Sequence, residues 1–258
     1  MFLRKSLLSS LALLLLAACQ TAPDTSAPAG ETRAASADPF WPADGKFPVP
    51  GRTSSWDGFR AKNRERRALF AERREQDQDA IVFVGDSITE GWTTLERDFA
   101  DLGVKVANRG IGGDTTPNLI HRLQEDVLAL NPRALVVTIG TNDLGENTSP
   151  KQIANNLRVL HRRIRDAVPN IPLAWCLVMP RQGGAMYPSR IRELNGYITE
   201  MVRTDQNATV VDTFTPLALP DGSSNPEAYV PDRLHLNERG YAIWRDTLKP
   251  VVAGWKLQ

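Results

Sequence analysis

Residues 80–89 read Ala-Ile-Val-Phe-Val-Gly-Asp-Ser-Ile-Thr. The first five are continuously apolar and rich in Val and Ile, without the alternation of a strand that is wet on one side. That is the pattern of a short strand buried on both faces. It breaks at Gly85-Asp86-Ser87, where a turn residue is followed by two types that favour helix starts. Similar runs recur at 104–107, 134–139, 173–178 and 209–211. Helical patterns fill the gaps. Ser149-Pro150-Lys151-Gln152 is a capping box with proline at the first helical position. It opens a stripe of Ile153, Leu157, Leu160, Ile164 and Val168, spaced by threes and fours. Ile191, Leu194, Ile198 and Met201 form another stripe. A last helix follows Asn237, with Tyr241, Trp244 and Leu248 facing in. Strand–helix alternation of this kind predicts a three-layer α/β/α sandwich with a mainly parallel five-stranded sheet. In such sheets the functional site lies beyond the carboxyl ends of the strands.

Three strand ends carry polar, glycine-rich sequence: Gly85-Asp86-Ser87-Ile88, Asn108-Arg109-Gly110-Ile111-Gly112-Gly113-Asp114-Thr115 and Gly140-Thr141-Asn142-Asp143. A serine where a helix begins lies among amides that favour developing negative charge. Its hydroxyl is a weak nucleophile without a base. Of the three histidines, His121 and His161 fall on helices, His161 in an arginine-rich face, and read as surface or packing residues. His235 lies in a turn-rich segment, Pro231-Asp232-Arg233-Leu234-His235. Asp232, three residues earlier, can reach the imidazole and fix its tautomer, as a triad requires.

Taken together, these four blocks resemble the SGNH, or GDSL, hydrolase family over the chain from about Trp56 to Pro250. The resemblance implies a flavodoxin-like SGNH fold and a serine esterase that needs no cofactor and no metal. Ser87 would be the nucleophile, His235 the general base and Asp232 the residue that orients it. The oxyanion hole would be the Ser87 amide, the Gly113 amide and the Asn142 side chain, with Gly112 in place of Gly113 if that block aligns one residue earlier. The phrases NRGIGGDTT, MPR and LHLNERGY resemble the branch containing platelet-activating-factor acetylhydrolase catalytic subunits and bacterial acetyl- and arylesterases. The implied substrates are short-chain, chiefly acetyl, esters of a small molecule or glycan. Arg181–Pro188 and Pro220–Pro231 are the candidate walls, with Met186, Tyr187 and Tyr229 as their main apolar residues. Alternatives are a lysophospholipase or thioesterase of the same fold, or a non-catalytic glycan-binding lipoprotein.

Other readings are weaker. Gly110-x-Gly112 resembles a dinucleotide fingerprint, but Thr115 replaces its third glycine. The G-x-S-x-G elbow is absent, because Ser87 is followed by Ile88-Thr89. The 258 residues carry a formal charge of +1, which gives nucleic acid no basic surface to bind. Two cysteines and three histidines argue against a disulfide scaffold or a zinc site. Segment 54–75 predicts a charged helix with Trp56, Phe59, Leu69 and Phe70 as apolar contacts and its arginines on a solvated face. Cys176 reads as a buried small hydrophobe.

The N-terminus is expected to be an address. Arg4 and Lys5 precede an apolar run from Leu7 to Ala18, too short to span a bilayer. The run ends in Leu16-Ala17-Ala18-Cys19, which resembles a bacterial lipobox. Residues 1–18 would be removed, and Cys19 would carry the lipid that makes the membrane a partner. Residues 19–38 form a tether rich in Ala, Thr, Ser and Pro. The hydrolase domain is expected at 39–258. Gln20 after the cysteine resembles the sorting habit of outer-membrane lipoproteins facing the periplasm.

Overall fold

The computed structural model describes residues 38–182 and 187–257. The expected signal segment, Cys19, nearly all of the tether and Met186 lie outside these described residues. Five strands form one sheet: β1 (Ile81–Gly85), β2 (Val106–Gly110), β3 (Ala134–Thr138), β4 (Leu173–Cys176) and β5 (Ala208–Val211). Their order is β2-β1-β3-β4-β5, and every pairing is parallel. The chain first builds outward from β1 to β2, then returns to β3 on the other side. The crevice between β1 and β3 is the switch point at which such sheets bind ligands.

The helices are α1 (Phe59–Glu72), α2 (Ser87–Glu90), α3 (Leu95–Phe99), α4 (Thr116–Asp126), α5 (Thr141–Gly145), α6 (Pro150–Ala167), α7 (Tyr187–Val202) and α8 (Glu238–Gly254). The strands alternate in where they point, yet both faces are dry. Val82, Val84, Leu135 and Val137 pack with Leu119, Leu157, Leu160 and Leu194 of α4, α6 and α7. Ile81, Phe83 and Val136 pack the other way, with Trp92, Phe99, Trp244 and Leu248 beside α2, α3 and α8. Two buried faces explain the uninterrupted apolar runs. Each fully buried aliphatic side chain contributes about 1.5–3 kcal/mol.

Caps follow the sequence in part. Ser149 Oγ accepts from Gln152 N at 3.2 Å, but the Gln152 side chain donates to Asn156 instead of closing the box. Asn237 caps α8 through Gly240 N.

Three expectations need correction. The first helix starts at Phe59, and Trp56 and Leu69 are exposed; of the four expected apolar contacts only Phe59 and Phe70 enter the interior. Its arginines are not all solvated. Arg67 is buried, satisfied by Asp126 at 2.7 Å, Glu125 at 2.6 Å and the Phe40 carbonyl at 2.8 Å. Tyr229 is no wall residue either. It lies in the core beneath α8, because an antiparallel bridge to Leu236 turns it inward.

Candidate active site

Four loops at the carboxyl ends of the strands meet beside Ser87. Ser87 is the first residue of α2 and is separated from β1 only by Asp86. Asp86 caps this helix, its Oδ1 accepting from Ile88 N at 3.0 Å. Gly110, the last residue of β2, lets α2 lie on the sheet end: a Cβ there would come within 2.2 Å of the Glu90 nitrogen. From the far side, Tyr241 of α8 donates its hydroxyl proton to the Ile88 carbonyl at 3.0 Å.

His235 reaches Ser87 from the segment that precedes α8. Its Nε2 is 2.8 Å from Ser87 Oγ, and its Nδ1 is 2.6 Å from Asp232 Oδ2. With Nδ1–H donated to the carboxylate, Nε2 is left to accept from the hydroxyl. The other Asp232 oxygen accepts from the backbone N–H groups of Leu234 and His235, both at 2.9 Å. Partial burial opposes ionisation of Asp232, but the His235 ring and these two amides outweigh it and hold its pKa below the ordinary value. The loop is tied down by Gln182 N donating to the Arg233 carbonyl at 3.0 Å. Arg233 takes a left-handed conformation, φ +59°, so that the turn brings Asp232 back to His235.

Gly112 borders Ser87, since a Cβ built on it would lie 3.7 Å from Ser87 Cβ; Gly113 follows it, and Asn142 is bonded to the same turn through Asp114. The Gly112 amide donates to Glu90 Oε2 at 2.5 Å. Among the described residues the Gly113 N–H has no acceptor. Gly113 has φ +84°, and a Cβ there would strike Phe59 at 2.8 Å, so both conformation and space call for glycine. Asn142 Nδ2 donates one hydrogen to the Asp114 carbonyl at 3.0 Å. That bond fixes the amide and leaves its second N–H available.

Under these turns lies a layer of buried charge whose role the sequence reading missed. Arg122 donates to Asp114 Oδ2 at 2.7 Å and to the carbonyls of Gly85 and Arg109 at 3.2 and 2.9 Å. It thereby ties the ends of β1 and β2 to the Gly112-Gly113 turn. Asp143 accepts from Thr116 N and from Thr116 Oγ1 at 2.6 Å. Burial pushes Asp86 and Asp143 up to about 7 and Asp114 up to about 6, the last despite Arg122. The available signal was an aspartate inside each of the three strand-end motifs.

The remaining candidates fall away from this centre. His121 stands edge-on to Phe47. His161 accepts from Trp175 Nε1 at 3.2 Å and faces Asp205 at 3.0 Å, a packing role. Cys176 is buried, its thiol pushed up to about 11 by desolvation.

Comparison with known proteins gives the family and the fold. The chain is 28% identical to platelet-activating factor acetylhydrolase IB subunit alpha1 of Pongo abelii over 185 residues, 67% of this chain and 75% of that protein. The structure of the lipase/acylhydrolase from Enterococcus faecalis superposes with a TM-score of 0.58 at 26% identity, covering 68% of this chain and 96% of the other. A GDSL-like lipase from Bacteroides thetaiotaomicron shares the fold, with a TM-score of 0.60 at 24% identity over 72% of this chain and 98% of its own. The model of the GDSL-like Lipase/Acylhydrolase family matches residues 83–243, and the chain belongs to that family of ester hydrolases.

Proposed function

We propose that this protein hydrolyses short-chain, chiefly acetyl, esters through an acyl-enzyme on Ser87. The observation that carries the reading is the continuous chain Ser87 Oγ–His235 Nε2–His235 Nδ1–Asp232 at 2.8 and 2.6 Å. Ser87 Oγ attacks the ester carbonyl carbon while its proton passes to His235 Nε2. The carbonyl oxygen becomes an oxyanion that takes hydrogen bonds from the amides of Ser87 and Gly113 and from Asn142 Nδ2. Gly113 is preferred to Gly112 because the Gly112 N–H is already committed to Glu90. Collapse of the tetrahedral centre expels the alcohol with the proton from His235. Water then attacks the acyl-enzyme with His235 again as base, releasing the acid and restoring Ser87.

Two arguments favour a small acyl group. The name of the 28% identical relative specifies an acetylhydrolase. The wall residues are also poor in apolar surface: Arg181 covers the Tyr187 ring at 4.7 Å, Tyr229 is in the core, and Asp221 and Asn225 bond to neighbouring backbone amides. A long acyl chain needs continuous apolar contact, at about 25 cal/mol per Å² buried. The test is a series of p-nitrophenyl esters with Ser87→Ala as the control. kcat/KM should fall from acetyl to octanoyl, and the control should be inactive. Values still rising at octanoyl would favour the lysophospholipase alternative, and a fully active control would remove Ser87 from the mechanism. Acetylated xylan and a phospholipid serve as second-stage substrates for the alcohol portion.

We further propose that Cys19 carries a lipid that holds the enzyme at a bacterial envelope membrane, on the strength of the Leu16-Ala17-Ala18-Cys19 sequence. Full-length protein should enter the detergent phase of a cloud-point extraction, and Cys19→Ser should stay in the aqueous phase. Equal partitioning would count against the anchor.

A further inference from the structure

Glu90 sits at the end of α2, one turn beyond Ser87, and its two carboxylate oxygens do different things. Oε2 accepts from the Gly112 amide at 2.5 Å. Oε1 faces Lys62 Nζ at 3.4 Å and Arg66 Nε at 3.7 Å, both on α1. Arg66 Nε also donates to the Gly110 carbonyl at 3.2 Å, two residues before the clamped amide. Gly112 borders the nucleophile: a Cβ on it would lie 3.7 Å from Ser87 Cβ and 3.1 Å from Glu90 Oε2. The Glu90 side chain is 21% exposed, so water screens this arrangement only in part.

We infer that Glu90 is a positioning residue that clamps the Gly112-Gly113 turn, and that Lys62 and Arg66 neutralise the clamp. The inference rests on the ester-hydrolysis reading above. The turn has reason to need a clamp. Gly112 and Gly113 have no side chains to anchor them, and Gly113 must keep a left-handed backbone for its N–H to meet the oxyanion. A charge-assisted bond from the preceding amide restrains that peptide strongly. The clamp also carries a cost. A carboxylate this close to the reacting carbon repels the negative charge that develops there, and that repulsion grows as water is excluded. Lys62 and Arg66 offset it through the other carboxylate oxygen, Oε1. Both lie outside residues 83–243, so the neutralising half of the device belongs to the N-terminal helix and not to the stretch matched by the family. A bare surface ion pair would add little to stability and nothing to the reaction. The clamp acts through geometry, since displacement of a reacting group by about 1 Å can cost 100-fold.

Three variants separate these roles, assayed with p-nitrophenyl acetate and with a trifluoromethyl ketone as transition-state analogue. Glu90→Ala should lower kcat about 10- to 100-fold, below the full loss of an oxyanion donor. Its KM should stay within about threefold and its affinity for the analogue should fall in step with kcat. Glu90→Gln keeps an acceptor for the Gly112 amide and should recover most of the lost kcat. Lys62→Met should lower kcat about three- to tenfold, because the carboxylate then keeps only Arg66 as counter-charge and opposes the oxyanion more strongly. In the Glu90→Gln background that penalty should vanish. Thermal denaturation of each variant reports folding separately, and the Gln and Met variants decide the matter if the Ala variant is unfolded. The inference is overturned if Glu90→Ala keeps kcat within twofold. It is equally overturned if Glu90→Gln is as impaired as Glu90→Ala, or if the Lys62→Met penalty persists without the carboxylate. A wild type that hydrolyses no ester would overturn the proposed function and this inference together, whereas an active wild type confines any failure to the clamp.

Discussion

Ser87, Gly113 and Asn142 stand on buried charge, whereas His235 and Asp232 stand in a loop open to water. Beneath the first group, Arg122, Asp114 and Asp143 are fully buried, and Asp86 is nearly so. In the second group, the His235 and Asp232 side chains are 38% and 47% exposed. The two halves solve different problems. An oxyanion hole works by donors that do not reorganise during reaction, which favours a rigid, water-poor bed. A base must gain and lose a proton in every cycle, and water at its edge lowers the cost of both charge states. The contrast predicts that damage to the nucleophile side is felt fully, while damage to the base side is partly repaired by solvent.

Asn142 provides the sharper end of that comparison. Asn142→Ala should lower kcat roughly 100- to 1,000-fold with little change in KM, because in the proposed mechanism its second N–H meets charge formed only in the transition state. Steady-state kinetics on p-nitrophenyl acetate checks it. A loss confined to KM would mean that Asn142 binds ground-state substrate, and the proposed hole would be incomplete.

Asp232 is where the comparison can break. A buried triad aspartate is worth about 10⁴-fold, because its loss leaves the histidine with the wrong tautomer and no counter-charge. Here water already reaches the carboxylate and can take its place at Nδ1. Asp232→Ala should therefore cost about 10- to 100-fold in kcat, well short of that buried case. A full 10⁴-fold loss would show that substrate binding dries this loop, and the two halves would then be alike.

The parts of the fold written in local sequence were legible. Strands β1 and β3 announced themselves because each carries one apolar set for each face, as Val82 and Val84 against Ile81 and Phe83 show. His235 stood out because a turn-rich segment placed an aspartate three residues before it, and the two are bonded as expected. What stayed hidden depends on partners distant in sequence. Arg67 looked solvated because its acidic partners, Glu125 and Asp126, lie 58 and 59 residues on. Tyr229 looked like a rim residue because nothing local reports the bridge to Leu236. Glu90 gave no signal, since its bond to Gly112 crosses from one strand end to the next.

The smallest expected effect concerns the bed itself. Asp86 is buried, without a direct cation partner among the described residues, and desolvation raises its pKa from 3.8 to about 7. A folded-state pKa above the unfolded one means that the native protein holds the extra proton. Stability linked to Asp86 is therefore greatest in acid and declines as pH rises from about 4 to about 7. The Asp86→Asn variant cannot ionise, and its side-chain oxygen can still accept from Ile88 N, so the cap survives. Wild type should lose more stability than this variant between pH 5 and pH 8, by about 1–3 kcal/mol, because each pH unit between 5 and the folded-state pKa of about 7 is worth about 1.36 kcal/mol. Asp143 and Asp114 titrate in the same direction, so both proteins should still slope downward and only the difference between them belongs to Asp86. Urea denaturation at the two pH values measures it. Parallel pH profiles would mean that Asp86 ionises at its ordinary pKa within the fold, and the nucleophile side would then be wetter than its packing implies.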